Sequence, residues 1–435
     1  MLKAVILIGG PQKGTRFRPL SFDLPKPLFP VAGKPMVHHL IEACCRVPNL
    51  TEILMIGFYQ GDESLVQSAA SMSKEYNVNI RYLQEYTALG TAGGCYHFRD
   101  QIRRGDPESF FLINGDVCGD FPLMQMIEFH KNKAGKSLIT VMGTEATRQE
   151  SLNYGCIVEN KETHEIIHYV EKPSTFVSTD INCGVYLCSL DIFQHMATIF
   201  KQKQYDYHHG NLWACNSSTG SEEYITEYNN SDCIRLEQDI LMPLAGTGRL
   251  YMFHTNRWWS QIKTAGSAIY ANRHYLELYH NTKSDQLAKN GEGKPTIIGD
   301  VFIHPTATVH PTAVLGPNVS IGKNVIVGSG TRIRECIILG NVTIQDHVLI
   351  FHSIIGWNST VGAWTRIEGT PCDPNPNKPF TKMENVPLFN NDGRLNPSIT
   401  VLGCNVQVPS EVIVLNSIVL PHKELNRSYK NEIIL

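Results

Sequence analysis

Seven aliphatic residues spaced six apart, Ile303, Val309, Leu315, Ile321, Val327, Ile333 and Leu339, constrain this chain more than any other feature. An α-helix repeats its buried face about every 3.6 residues and a strand every 2, so neither explains a period of six. A hexad instead places one short strand on each face of a triangular coil, with the aliphatic side chain turned inward. The expected architecture over residues 297–435 is a left-handed parallel β-helix.

The phase slips between Gly340 and Ile354, resumes at Ile355, Val361 and Ile367, and returns at Leu402, Val408, Val414 and Leu420 after a stretch of different character. Residues 368–398 carry Asp373-Pro374-Asn375-Pro376-Asn377 and Asn390-Asn391-Asp392-Gly393, so a loop projecting from the coil is expected there. Long loops in compact folds are commonly functional; a tolerated surface insertion is the plain alternative.

The first half has another rhythm. Apolar runs at Lys3–Ile8, Glu52–Phe58, Ile80–Leu83, Phe110–Ile113 and Ser137–Val141 alternate with helical patterns at Met36–Cys45 and Glu63–Tyr76. That alternation predicts an α/β, Rossmann-like, mostly parallel sheet, with ligands beyond the carboxyl ends of its strands. Residues 1–252 are expected to form this domain, with a polar insertion near 201–233, and 253–296 to form a helical linker.

With 38 basic and 41 acidic residues the net charge is -3, so no global field draws the protein to nucleic acid or an anionic membrane, and any phosphate is held by local groups. No apolar stretch reaches the roughly 20 residues of a membrane span, and Met1–Gly10 reads as a buried strand and turn. Twelve cysteines scattered without close pairing imply reduced thiols and a cytoplasmic protein. Cys183 and Cys188 lie in a strand-like segment with no second ligand pair nearby, so metal binding there is a weak reading.

Chemistry concentrates after the first strand. In Gly9-Gly10-Pro11-Gln12-Lys13-Gly14-Thr15-Arg16 the glycines let a turn approach phosphates, and Arg16 with Lys26 of Pro25-Lys26-Pro27 supplies charge-assisted hydrogen bonds. Further on come Glu85 before Leu89-Gly90-Thr91-Ala92-Gly93, Asn114-Gly115-Asp116, Tyr154-Gly155, Glu171-Lys172-Pro173 and Asn182-Cys183-Gly184.

In these segments, and over nearly its whole length, the chain resembles the sugar-nucleotide pyrophosphorylases, nucleotidyltransferases that join nucleoside triphosphates to sugar 1-phosphates. Within that family it is similar to the mannose-1-phosphate guanylyltransferase group, and there to regulatory members of alpha type that partner a catalytic beta subunit. The resemblance implies that Glu85, Gly90 and Thr91 recognise base and ribose. It implies that Asp116 holds Mg²⁺, and that Gly155, Glu171, Lys172 and Asn182 hold the sugar and its phosphate. It also implies GDP-mannose as ligand, a hetero-oligomer with the beta subunit, self-association through the β-helix and feedback inhibition.

Two departures from the family pattern argue against catalysis. Three residues, Pro11-Gln12-Lys13, stand between Gly-Gly and Gly-Thr-Arg where the family has one, and Pro11 removes a backbone N–H. In Trp259-Ser260-Gln261-Ile262-Lys263, Gln261 takes the place of a metal-holding aspartate, and a neutral amide is a poor ligand for Mg²⁺. The expectation is a non-catalytic binder needing no cofactor; the alternative is an active guanylyltransferase using GTP and mannose 1-phosphate.

Plainer roles stand beside these. Asp116 would cap the segment after its strand, Glu171 and Lys172 would be an exposed ion pair, Lys26 a solvated charge, and Trp258 and Trp259 core aromatics. Acyltransfer by a β-helix histidine, with His304, His310, His347 and His352 available, is a third reading.

Overall fold

A computed structural model describes residues 1–11, 15–59, 63–87, 89–133, 135–208, 232–371, 374, 380–383 and 387–435. The chain forms two compact units, one from Met1–Pro11 with Leu40–Trp259, the other from the described residues of 12–39, 260–378 and 382–435. This division is not linear: an early segment and residues 260–296 of the region read as a helical linker belong with the β-helix, while 253–259, entered through strand Leu250–His254, stay with the first unit.

The first unit is built on a nine-stranded sheet. Asn79–Gln84, Leu50–Gly57, Leu2–Gly9 and Ser109–Asn114 run parallel, in that spatial order. All five expected strands form, as do helices Met36–Cys45 and Glu63–Tyr76. The expectation of a mostly parallel sheet holds for these four strands and for Leu250–His254 beside Ile139–Glu145, but not for the rest. Asp180–Ser189 pairs antiparallel with both Ser109–Asn114 and Ile139–Glu145, and Gly155–Glu159 makes an antiparallel hairpin with Ile166–Glu171. The hairpin follows from a short polar turn, where Asn160 Oδ1 accepts from the N–H of Glu162 and Thr163; a connection that tight cannot make a parallel crossover. Val5, Leu54, Phe110, Leu112, Val141 and Tyr186 lie in one buried cluster of this sheet.

The polar insertion starts later than expected. Helix Ile192–His208 continues through its first residues, and 209–231 lie outside the described residues. Cys183 and Cys188 are buried in the central strand and join none of the candidate metal clusters among the described residues.

The second unit holds the parallel β-helix, and here the hexad needs one correction. Leu315 pairs with Ile333, eighteen residues on, but Ile321 pairs with Ile338, not Leu339. One residue is lost at the corner where Glu335, in left-handed backbone (φ 51°), sits buried. Its carboxylate accepts from Asn318 Nδ2 (2.8 Å) and Arg273 Nη2 (3.0 Å), so side-chain anchoring holds this tighter corner. Later coils keep the short side: Ile350 and Ile355, five apart, pair with Ile367 and Leu402. The latter two are 35 apart, so the 30-residue insertion enters on this short side, within the expected 368–398. Its described part includes a hairpin bridge between Phe389 and Leu395, tied by Asn390 Oδ1 accepting from Asp392 and Arg394 N–H.

Asn272, fully buried on helix Ala265–Thr282, explains why residues 12–39 belong to this unit. Its Oδ1 accepts from Ala32 N–H (2.8 Å) and Ser320 Oγ (2.6 Å), and its Nδ2 donates to the Asn318 carbonyl (3.3 Å). The histidines weighed for acyltransfer have local partners: His304 and His310 each place Nδ1 2.9 Å from a threonine hydroxyl two residues on, and His347 stacks on Trp364.

Candidate functional site

In the first unit the carboxyl ends of three parallel strands bring Gly9-Gly10, Glu85 and Asn114-Gly115-Asp116 to one edge. Gly9 has φ 68° and its carbonyl accepts from Phe58 N–H, while Gly57 accepts from Glu85 N–H and Leu7 from Gly115 N–H. A Cβ at Gly115 would stand 2.8 Å from the Leu7 carbonyl, and one at Gly10 would stand 3.1 Å from Phe58 Cβ. The turns are therefore packed against neighbouring strands, and their glycines are required by the approach. Glu85 is buried and Asp116 half-buried. Asp116 precedes a strand, Val117–Gly119, and the next helix starts after Pro122, so the capping role does not apply. The Pro11-Gln12-Lys13 insertion lies largely outside the described residues.

Thr91 and its loop are held by a segment the sequence reading passed over. Ala92 and Gly93 N–H donate to the Ile234 carbonyl, Leu236 N–H donates to Thr91 Oγ1 (2.8 Å), and Thr91 Oγ1 donates to Glu237 Oε2 (3.0 Å). Gly90 has φ 81°, and a Cβ there would meet the Ile234 carbonyl at 2.5 Å. Burial pushes the Glu237 carboxyl above its usual range, and the Glu171 charge adds to that; the bond from Thr91 opposes it.

On the other side of Glu237 lies a second set of polar groups. Tyr169 Oη donates to Glu171 Oε2 (3.0 Å), and Asn182 Nδ2 donates to Tyr169 Oη (3.0 Å) and Tyr186 Oη (2.8 Å). Burial raises both phenols well above their ordinary value, reinforced at Tyr169 mainly by Glu171 and at Tyr186 mainly by Glu237. Both therefore stay protonated: Tyr169 donates to Glu171, and both phenol oxygens accept from Asn182. Asn182 Oδ1 accepts from Gly184 N–H (2.8 Å), which fixes the amide. Gly155 lies against Tyr169 and Glu171: an added Cβ would stand 2.8 Å from Glu171 Oε2.

Thus Gly155, Glu171 and Asn182 come together as the sequence suggested, with Glu237, Tyr169 and Tyr186 as members it missed. The available signal for Glu237 was a lone carboxylate among Leu236, Ile240 and Leu241. Lys172, in left-handed backbone, lies 3.5 Å from Glu171 Oε1 and is 61% exposed. Such a pair contributes little to stability and leaves the ammonium open to a ligand. Trp259 is a core residue: its Nε1 donates to the Cys183 carbonyl (2.9 Å) and its ring meets Tyr154 edge-on.

Arg16, Lys26 and Gln261 fall in the second unit. Arg16 is exposed on a short 3₁₀ turn, Thr15–Phe17, and Lys26 Nζ lies 5.9 Å from the Phe17 ring centre, half-buried rather than fully solvated. Gln261 ends a strand that leads into helix Ala265–Thr282, whose Thr264–Ser267 capping box starts directly after Lys263.

A nucleotidyl transferase family model matches residues 3–275, and a model described as a GMPPB C-terminal domain matches 297–434. The chain belongs to the nucleotidyltransferase family. It is 59% identical, over the whole of both chains, to the mannose-1-phosphate guanylyltransferase regulatory subunit alpha-A of Danio rerio, and equally so to the regulatory subunit alpha of Xenopus tropicalis. The Drosophila melanogaster regulatory subunit alpha is 58% identical, again over all of both chains. Among the described residues no helix is long and apolar enough to cross a membrane.

Asp116 offers a carboxylate in the first unit, and Gln261, in the second, offers a neutral amide.

Proposed function

We propose that this chain is a regulatory, non-catalytic subunit of a mannose-1-phosphate guanylyltransferase complex, binding GDP-mannose and lowering the turnover of a catalytic beta-subunit homologue. The observation that carries this reading is Gln261 in place of a metal-holding carboxylate, in a chain whose full-length relatives are named as regulatory alpha subunits. Loss of charge stabilisation weakens the transition state far more than it weakens a bound product. Thr91 and Glu85 would then meet base and ribose. Glu171, Asn182 and Gly155 would meet the mannose, and Gly9, Gly10 and Lys172 the phosphates. Binding of this kind requires no cofactor.

Feedback requires that the ligand favour one arrangement of the complex over another. We assign the coupling to residues 368–398, supported by Leu388 and Phe389, large apolar side chains that are 48% exposed on the inserted hairpin. Self-association through the β-helix and a cytoplasmic location complete the reading.

The test mixes purified chain with the catalytic homologue, GTP and mannose 1-phosphate. Pyrophosphate release is expected to fall on adding GDP-mannose more steeply with this chain present than without it. Equal inhibition after deleting the inserted loop would overturn the coupling route. A second reading, an active enzyme, is favoured by the retained Asp116. It requires pyrophosphate release by this chain alone, abolished by Asp116→Asn; a rate equal to buffer eliminates it.

A further inference from the structure

Away from the nucleotide site, Asp23, Cys404 and His422 meet in the second unit. One ligand-type atom from each lies within 4.8 Å of the other two, and Cys404 Sγ donates to Asp23 Oδ2 at 2.6 Å across 381 residues of sequence. Cys404 is buried, whereas Asp23 and His422 are exposed, so a thiol set in the wall is flanked by two solvent-facing donors.

The β-helix corner that supplies His422 gives an independent reason to single it out. Asn341, Asn358, Asn405 and His422 each donate a backbone N–H to the carbonyl one coil back, those of Lys323, Gly340, Trp357 and Cys404. All four are in left-handed backbone, with φ between 55° and 60°. Asparagine suits that conformation, and its amides also bridge coils: Asn324 Nδ2 donates to Asn341 (3.2 Å) and Asn341 Nδ2 to Asn358 (3.0 Å). Backbone geometry alone would be served by another asparagine at 422. The series changes to histidine at the coil that lies against Cys404 and Asp23.

We infer that Asp23, Cys404 and His422 form a binding site for a divalent transition metal of zinc type. A thiolate, an imidazole and a carboxylate together suit zinc and its neighbours, while Mg²⁺ and Ca²⁺ take all-oxygen sets. Ligand bonds of about 2.0–2.3 Å set tetrahedral ligand atoms roughly 3.3–3.8 Å apart, so Cys404 Sγ and Asp23 Oδ2 open by about 1 Å from their hydrogen-bonded contact, while no pair of ligand atoms need close by more than about 1.5 Å. Three protein ligands leave a fourth position for water. On binding, the Cys404 thiol releases its proton to solvent and the sulfur–metal bond takes the place of its hydrogen bond to Asp23. The ion would pin the segment carrying Asp23 to the last coils of the β-helix.

The test uses the full chain, chelator-treated and with thiols reduced, titrated with Co²⁺ and then Zn²⁺. A thiolate-to-cobalt charge-transfer band equivalent to one site is expected in the difference spectrum against Cys404→Ser, displaced by Zn²⁺, and Zn²⁺ should raise the melting temperature. His422→Asn restores the residue of the preceding coils and so preserves the fold. It should weaken binding at least as much as loss of an outer-shell partner does, about 10–100-fold. No difference band, or wild-type affinity in both variants, overturns the site.

Discussion

Along the β-helix the same corner recurs coil after coil, so Asn324, Asn341 and Asn358 pass hydrogen bonds to equivalent residues above and below. In the nucleotidyltransferase unit, Thr91, Glu237, Glu171, Tyr169, Asn182 and Tyr186 form an arrangement that occurs once and brings together residues from distant parts of the chain. A repeat spreads its stabilisation over near-identical neighbours, each contacting only the next. A single polar cluster concentrates its energetics, because every donor removed leaves a particular buried acceptor unsatisfied. The comparison teaches where specific chemistry can be assembled: the repeat accommodates an insertion at a corner, while the cluster gathers several polar groups of different kinds at one place.

Four changes would break or sharpen this contrast. The largest effect is expected in the repeat's core: Ile338→Ala, at a fully buried position of the shortened side, should cost about 2–5 kcal/mol in urea unfolding. Its effect on hydrogen exchange should be concentrated in adjacent coils, and uniform loss of protection across both units would contradict the nearest-neighbour picture.

Next comes His130, buried in the first unit with Nδ1 2.7 Å from Thr140 Oγ1. Burial lowers its pKa from 6.5 to about 4. The folded state therefore holds the ring neutral where the unfolded chain would charge it. Stability should be complete above pH 6.5 and fall as pH drops towards 4, by an amount on the order of 3 kcal/mol. Thermal melts of His130→Asn across that window should lack this dependence; an unchanged slope would assign it to other groups.

A smaller loss is expected from Asn182→Ala, which removes the donor shared by two buried phenols and should cost about 1–3 kcal/mol. If the cluster also serves a ligand, calorimetric affinity for GDP-mannose should fall as well; stability loss with unaltered affinity would make the cluster purely architectural. The smallest effect belongs to Asn341→Ala, about 1 kcal/mol, since alanine lacks the short polar side chain that lets asparagine tolerate left-handed backbone. Asn341→Gly separates the contributions: near-wild-type stability means the backbone preference dominates, and an equal loss means the amide ladder does.

Much of the fold was legible from residue order alone. Hydrophobic period is a local property, so the hexad announced the β-helix, the alternating runs announced the α/β sheet, and the interruption after Ile367 announced the inserted loop. Local glycines likewise marked the turn at Gly9 before any packing was known. The shortened corner was only half visible: the slip could be seen near Gly340, but its placement at Glu335 depends on Arg273 and Asn318, which are distant in sequence.

The sequence by itself determined the family and the two architectures, because each is written in identity or spacing along the chain. Tertiary structure alone decided that Glu237 stands with Thr91 and Glu171, that residues 12–39 belong with the β-helix, and that Asp23 reaches Cys404. Those relationships depend on burial and on contacts between residues far apart in the chain, which no period or motif encodes.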